Sequence, residues 1–424
     1  MVLVTCFDAA GAISAAHSAT PAVLTDGQSI AFDHPAIAFD GVFFPQVDTD
    51  CIYLNRFSAD VLAAPGGAFD AARAQTTSGA VVRFKTDSTA VTAYFREVPT
   101  WNEDNEFGIF QDGVLRDAVT GLTLTGTSAN PGQAVTWELA CPSRSNVAFL
   151  GLSIDAGASM LPLSPRCRPR YVAFGDSITH GTGQGSRSYQ TYPWVLAKAK
   201  NWDMYNLGIS GSKVCPTFGA MLDDEPIDVA TVLWGQNDWN YQNNAPLYQS
   251  QLDTFLTSFR AHHPDTEVYM ITLIANAKTT PQVDNGYTRE DYRQVVRNLV
   301  SSRTAAGDTH IQVIEGEALT TTYDLADGTH LSVAGAASFG YNLYRAIGYR
   351  GGLHHLADLD DDGDVDQSDF GLFQLCLSGP GNAQANAECR DTRLDVDEDV
   401  DVNDLAIFQQ CLTGADRSPA CITE

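Results

Sequence analysis

Five short apolar runs recur between residues 170 and 314: Val172–Phe174, Met204–Leu207, Val229–Leu233, Val268–Leu273 and Ile311–Ile314. Each is separated from the next by a longer polar or amphipathic stretch. No other feature of the 424 residues constrains the fold as much. Such runs suit strands buried on both faces. Two of the intervening stretches have helical spacing. Tyr248, Leu252, Phe255, Leu256 and Phe259 fall on one face, and so do Tyr292, Val295, Val296, Leu299 and Val300. This alternation predicts a parallel sheet with helices on both sides. Ligands of such sheets bind beyond the carboxyl ends of the strands.

Residues 1–165 follow a period of two instead. In "SGAVVRFKTDSTAVTAYF" apolar and polar residues alternate on either side of a turn at Asp87-Ser88. Val82 and Phe84 are expected on one face, with Arg83 and Lys85 on the other. Asp112-Gly113 is a second hairpin signal, and "AVTWELA" and "NVAFLGLSI" supply further strands. A β-sandwich, jelly-roll-like domain is expected here, with an α/β domain over 166–350.

The formal net charge is −27. A partner with a phosphate backbone is excluded, because binding it needs a basic face. No apolar run reaches the roughly 18 residues of a membrane span. The acid is uneven: from Leu356 to Glu424 there are 17 carboxylates against three arginines, which marks a third module over 356–424. Its cysteines Cys376, Cys389, Cys411 and Cys421 are read as two local disulfides, implying an oxidising compartment. Cys6, Cys51, Cys141, Cys167 and Cys215 are an odd set, so at least one is free. The protein is expected to be secreted, although the first residues do not form a good signal peptide.

Four segments of the α/β part carry chemistry. "FGDSITHG" follows the first strand with Ser177, and "YNLGISGS" follows the second with Asn206, Gly208, Ser210 and Gly211. "WGQNDWN" follows the third with Asn237 and Asp238, and "DGTHLS" places Asp327 and His330 before a last helix that Ser332 caps. Ester hydrolysis needs a nucleophile, a base for its proton and donors where the carbonyl oxygen gains charge. Ser177, His330 and Asp327 suit the first two needs as nucleophile, base and orienting acid. Asp176 and Asp238 are expected to brace loops, and His180 to line the pocket or its rim.

In order and spacing these blocks resemble the SGNH, or GDSL-type, hydrolase superfamily, over residues 168 to 350. The resemblance implies a flavodoxin-like α/β fold, the triad Ser177, Asp327 and His330, and an oxyanion hole of the Ser177 N–H, the Gly208 N–H and the Asn237 side chain. No catalytic cofactor is implied. "TTSGAVVRFKTDS" is similar to the amino-terminal sandwich of some carbohydrate esterases of that superfamily.

The acidic module contains a repeat: "DLDDDGDVDQSD" from Asp358 returns 35 residues later as "RLDVDEDVDVND" from Arg393. Calcium takes six to eight oxygen ligands around a sharp turn. Asp358, Asp360, Asp362, Asp364, Asp366 and Asp369 have the spacing of an EF-hand-like loop, with Gly363 at its sixth position. Asp395, Asp397, Asp399 and Asp404 form a weaker second set, because Arg393 and Glu398 depart from the pattern. The module resembles a dockerin-type calcium repeat, which implies structural Ca2+ and a cohesin-like protein partner.

The expectation is a secreted serine esterase that removes O-acetyl groups from a polysaccharide. The alternatives are a lipase or arylesterase of broader acyl preference, and a carbohydrate-binding or scaffold-attached protein with an incidental hydrolase domain.

Overall fold

The computed structural model describes residues 27–64, 66–163, 168–222, 225–241 and 244–347. Beyond these it describes Ala357, Leu359, residues 365–384, Asn386, Cys389, residues 392–395 and residues 399–412. The chain divides into two compact units, Leu3–Gly348 and the residues from Tyr349 onward.

The first unit begins with an all-β region of two antiparallel sheets. One has the order Phe44–Val47, Ile52–Asn55, Val147–Asp155, Ala90–Glu97, Thr123–Thr127, with Gly27–Ala31 also on Val147–Asp155. The other has the order Met160–Leu161, Val81–Thr86, Val135–Ala140, Glu106–Gln111, Val114–Thr120, with Ile37–Asp40 also on Val81–Thr86. One apolar core draws on both sheets, with Val82, Phe84, Ile109, Trp137 and Leu139 from one and Val91, Phe95, Phe149 and Leu152 from the other. Asp112 and Gly113 both have positive φ, as a two-residue hairpin turn requires.

The segment around Asp87-Ser88 differs from expectation. Val81–Thr86 and Ala90–Glu97 do not pair with each other, because they lie in different sheets. The link is an arch held by Asp155, whose Oδ2 accepts from Thr89 N at 2.7 Å while its own N–H donates to Ser88 Oγ at 2.9 Å. Val82 and Phe84 enter the core shared by the two sheets, while Arg83, in the alternate position of the strand, is buried as well and its Nε donates to Asp40 Oδ2 at 2.7 Å. Two short helices, Ala59–Ala63 and Ala71–Ala74, interrupt this region.

A five-stranded parallel sheet follows, in the order Asp203–Gly208, Arg170–Gly175, Val229–Leu233, Glu267–Ile271, Ile311–Ile314. The five strands coincide with the five apolar runs to within two residues. Helices Ala245–His262 and Arg289–Ala305 bury the two faces read from their spacing. The strand order reverses at Arg170–Gly175, which opens a crevice beyond its carboxyl end. Ser177 stands there.

The two regions belong to the same unit, and polar as well as apolar groups join them. Arg56 of the all-β region is 1% exposed, and its Nη1 donates to Asn206 O at 2.7 Å and to Gly208 O at 2.9 Å, at the end of a strand of the parallel sheet. A boundary near residue 165 therefore separates two kinds of sheet, not two independent bodies.

Trp137, 1% exposed, lies parallel to Phe84 at a centroid distance of 6.3 Å in the all-β core. Trp137→Ala is expected to lower stability by about 3–5 kcal/mol, read as a shift of the urea midpoint at unchanged slope.

Candidate active site

Asp176 begins the turn out of the first parallel strand. Its Oδ1 accepts from Ile178 N at 3.0 Å, capping the short helix Ser177–His180. Burial pushes its carboxyl up to about 7, helped by the nearby charge of Asp238, although the Ile178 N–H works against the shift. Both acids are buried. Asp238 Oδ1 faces Val214 N at 3.4 Å. Both therefore touch backbone that shapes the loops.

The cap exposes one edge of Ser177 to the crevice. Ser177 Oγ lies 2.8 Å from His330 Nε2, and His330 Nδ1 lies 2.7 Å from Asp327 Oδ2. Asp327 Oδ1 accepts from Thr329 N at 3.0 Å and from His330 N at 2.8 Å, so the loop is a closed turn around its own carboxylate. Burial pushes Asp327 up, but these hydrogen bonds outweigh it and hold the carboxyl below its usual range. An ionised Asp327 keeps the His330 proton on Nδ1 and leaves Nε2 free to accept from the serine. Ser332 caps the next helix by accepting from Gly335 N at 3.0 Å.

Gly208 does not present its N–H to the crevice. That N–H donates to Asn206 Oδ1 at 2.9 Å. A Cβ on Gly208 would lie 2.4 Å from His180 N, so a glycine is needed there for packing, not for access to a substrate. Three residues later Gly211 is exposed and has a φ of +84°, and its N–H meets no acceptor among the described residues. Its loop touches the turn of the nucleophile on one side, through Ile209 N donating to Gly175 O at 3.1 Å. On the other side Asn237 Nδ2 donates to Ser212 O at 2.8 Å, which leaves one amide hydrogen for another acceptor. Ser177, first in its helix, has no acceptor within that helix for its own N–H. The available donors are thus those of Ser177, Gly211 and Asn237.

His180 is fully buried, not on a rim. Its Nδ1 accepts from Ser210 N at 2.9 Å, which leaves Nε2 as the protonated atom, 2.8 Å from Thr76 Oγ1 of the all-β region. Burial pushes this ring well below the ordinary histidine value, and the charges of Arg56, Arg144 and Arg73 push it the same way. Beside it Trp101 carries two guanidinium groups over its ring, Arg73 at 5.2 Å and Arg144 at 4.9 Å. Arg144 Nη1 donates to Thr182 Oγ1 at 2.6 Å, close behind the nucleophile. Arg56, Arg73, Trp101 and Arg144 were missed by sequence reasoning, and Gly211 was singled out with its motif but not as a donor. Of these, Gly211 alone had a sequence signal, as the second glycine of that motif.

In the acidic module, Asp358, Asp360, Asp362, Asp364 and Asp397 lie outside the described residues. The two repeats behave alike where they are described. Asp369 Oδ1 accepts from Leu359 N at 2.5 Å and its Oδ2 from Asp366 N at 2.8 Å. Asp404 Oδ1 accepts from Leu394 N at 2.5 Å and its Oδ2 from Asp401 N at 2.8 Å. Asp395, Asp401 and Asp404 bring carboxylate oxygens within 4.8 Å of one another. Asp401 is an addition to the expected set, and Asp399 is not in that cluster. Arg393 donates to Gln384 O. Cys376 is bonded to Cys389, Cys411 is also in a disulfide, and Cys51, Cys141 and Cys215 are free and buried.

Residues 173–337 match the GDSL-like Lipase/Acylhydrolase family. The chain contains a GDSL-type hydrolase domain. No curated protein matches the sequence. Among solved structures of similar fold is a salicylyl-acyltransferase from a tetracycline biosynthetic pathway. It is 20% identical, with a TM-score of 0.65, 75% of this chain covered and 96% of that one. A family two carbohydrate esterase from Clostridium thermocellum, in complex with cellohexaose, is 16% identical with a TM-score of 0.55, covering 73% and 98%. An acetyl xylan esterase from the rumen bacterium Butyrivibrio proteoclasticus is 15% identical with a TM-score of 0.50, covering 64% and 90%. Coverage of this extent exceeds the family match and takes the likeness in fold into the all-β region.

The buried, neutral His180 gives a direct expectation. Its ring nitrogens should not titrate between pH 8 and the reference histidine value of about 6.5, as read by long-range proton–nitrogen spectra. Because its folded value is depressed, the stability tied to this ring is whole above that reference and drains as pH falls below it. A ring that titrates normally would contradict the hydrogen-bond assignment.

Proposed function

We propose that this protein is a serine esterase that removes O-acetyl groups from a polysaccharide outside the cell. The observation that carries the reading is the relay of Ser177, His330 and Asp327 at 2.8 and 2.7 Å, beside the N–H groups of Ser177 and Gly211 and the remaining amide hydrogen of Asn237. Ser177 Oγ attacks the ester carbonyl carbon while its proton passes to His330 Nε2. The carbonyl oxygen becomes an oxyanion against the N–H groups of Ser177 and Gly211 and the amide of Asn237. When the intermediate collapses, the carbon–oxygen bond to the sugar breaks and the leaving oxygen takes the proton from His330. Water then attacks the acyl-enzyme, gives a proton to His330, and releases acetate as Ser177 regains it. Asp327 stays ionised throughout and stabilises the imidazolium.

The polysaccharide part of the reading is supported by the carbohydrate esterases among the similar folds and by the attached acidic module. The disulfides of that module suit an oxidising compartment. Acetate release from a panel of acetylated polysaccharides tests the substrate class. A preference for p-nitrophenyl octanoate over acetate would favour a lipase or arylesterase instead. Ser177→Ala and His330→Ala should each lower kcat by on the order of 10⁴-fold, and Asn237→Ala by roughly 10²–10³-fold. A Ser177→Ala enzyme with a tenth of normal activity overturns the mechanism.

For the acidic module the reading is structural calcium in dockerin-like loops and attachment to a cohesin-like partner. Asp395, Asp401 and Asp404 fit a hard cation, since carboxylate oxygens converge there and the loop closes on Asp404. Bound calcium supplies the counter-charge that these repelling carboxylates need. EDTA should therefore lower the melting temperature of the module while hydrolysis of p-nitrophenyl acetate persists. Calorimetry scored beside esterase activity reads both, and joint loss of the two contradicts the separation.

A further inference from the structure

We propose that Arg73, a residue of the all-β region, is a positioning residue for the oxyanion hole of the hydrolase domain. The inference rests on the serine esterase reading above. The Gly211 N–H belongs to the same peptide unit as the Ser210 carbonyl, and Arg73 Nη1 donates to that carbonyl at 3.2 Å. A cation bound to the oxygen of a peptide draws electron density from its nitrogen and makes the N–H a stronger donor. The same bond fixes the rotation of the peptide plane, which decides whether the N–H points into the crevice or away from it. The peptide before it is already pinned, because Ser210 N donates to His180 Nδ1. The strand end is pinned through Asn206 O and Gly208 O by Arg56. On the other side Ser212 N donates to Ile209 O at 3.0 Å and Ser212 O accepts from Asn237 Nδ2, so without Arg73 the Ser210–Gly211 peptide is the one link of this turn that can rotate between two held peptides.

Arg73 itself is placed for this role. It sits in the helix Ala71–Ala74, its guanidinium lies over the Trp101 ring at 5.2 Å, and its Nε is 3.7 Å from Asp70 Oδ2. A Cβ on Gly211 would lie 3.0 Å from Arg73 Nη1, so the glycine leaves the space that the guanidinium uses. The side chain is 38% exposed, so its replacement does not open the core.

The test uses the full chain with Arg73→Met, Arg73→Lys and Arg73→Ala. Two readouts are compared: kcat and KM for p-nitrophenyl acetate, and the rate at which a fluorophosphonate labels Ser177. Arg73→Met should lower kcat by on the order of ten-fold, less than loss of a whole donor, with KM changed by less than about two-fold. Labelling should slow by a similar factor. Arg73→Lys should keep part of the rate, and added guanidinium should restore part of it to Arg73→Ala. A purely structural arginine lowers the amount of labelled enzyme and leaves the rate constants alone, and that result overturns the proposal. So does a kcat for Arg73→Met within about two-fold of the parent. If the parent cleaves no ester, the esterase reading fails by itself, and the labelling rates still decide the role of Arg73.

Discussion

A buried guanidinium governs how this protein is put together. Arg56 is held by backbone carbonyls and one hydroxyl: Thr76 O, Asn206 O, Gly208 O, Ala74 O and Thr76 Oγ1, at 2.7 to 3.1 Å. Burial pushes it down to about 9, so it is still charged at neutral pH. A charge in such a place is tolerable only while nearly every N–H has an acceptor. Three of those five acceptors come from the all-β region and two from the end of a strand of the parallel sheet. Neither region can satisfy the guanidinium alone, and this adds to the apolar cluster through which Phe57, Val61 and Phe69 pack with Phe174 and Ile209 in the same unit.

The catalytic constellation inherits its geometry from that junction. The parallel sheet delivers Ser177, the loop after Gly208 and Asn237 to the crevice where the strand order reverses. The sheet does not determine which way the peptides of that loop face. Their orientation comes from His180, Arg56 and Arg73, and two of those three belong to the region that precedes the sheet. An all-β segment that looks like an accessory to a hydrolase is thus part of the framework of its site.

What the sequence made legible follows from how local each signal is. Strands buried on both faces and helices with one apolar face record their own environment, so the five apolar runs and the faces led by Tyr248 and Tyr292 could be read directly. The relay could be read because Asp327 and His330 stand three residues apart and the nucleophile sits in a distinctive turn. Alternation reveals which face a residue takes but not which strand it pairs with, and so the arch at Asp87-Ser88 looked like a hairpin. The choice of Gly208 over Gly211 failed for a related reason. Both glycines are in the motif, and only the bond from Gly208 N to Asn206 Oδ1 shows which N–H is already engaged. Arg56 and Arg73 left no trace because the groups they hold in the parallel-sheet region are backbone carbonyls more than a hundred residues away, and every residue has a carbonyl.

That anonymity has a consequence for how the protein can change. Arg56, Thr76, His180 and Ser210 form a chain in which Arg56 and His180 share Thr76 Oγ1, and His180 Nδ1 takes the Ser210 N–H. Removing one member strands a buried donor or acceptor on its neighbour, so the damage from a second change overlaps with the first. Substitutions at these positions should combine non-additively although they lie in different regions and far apart in sequence. Drift at one of them narrows what the others can tolerate, and the seam between the two regions is where the protein's history should be most strongly coupled.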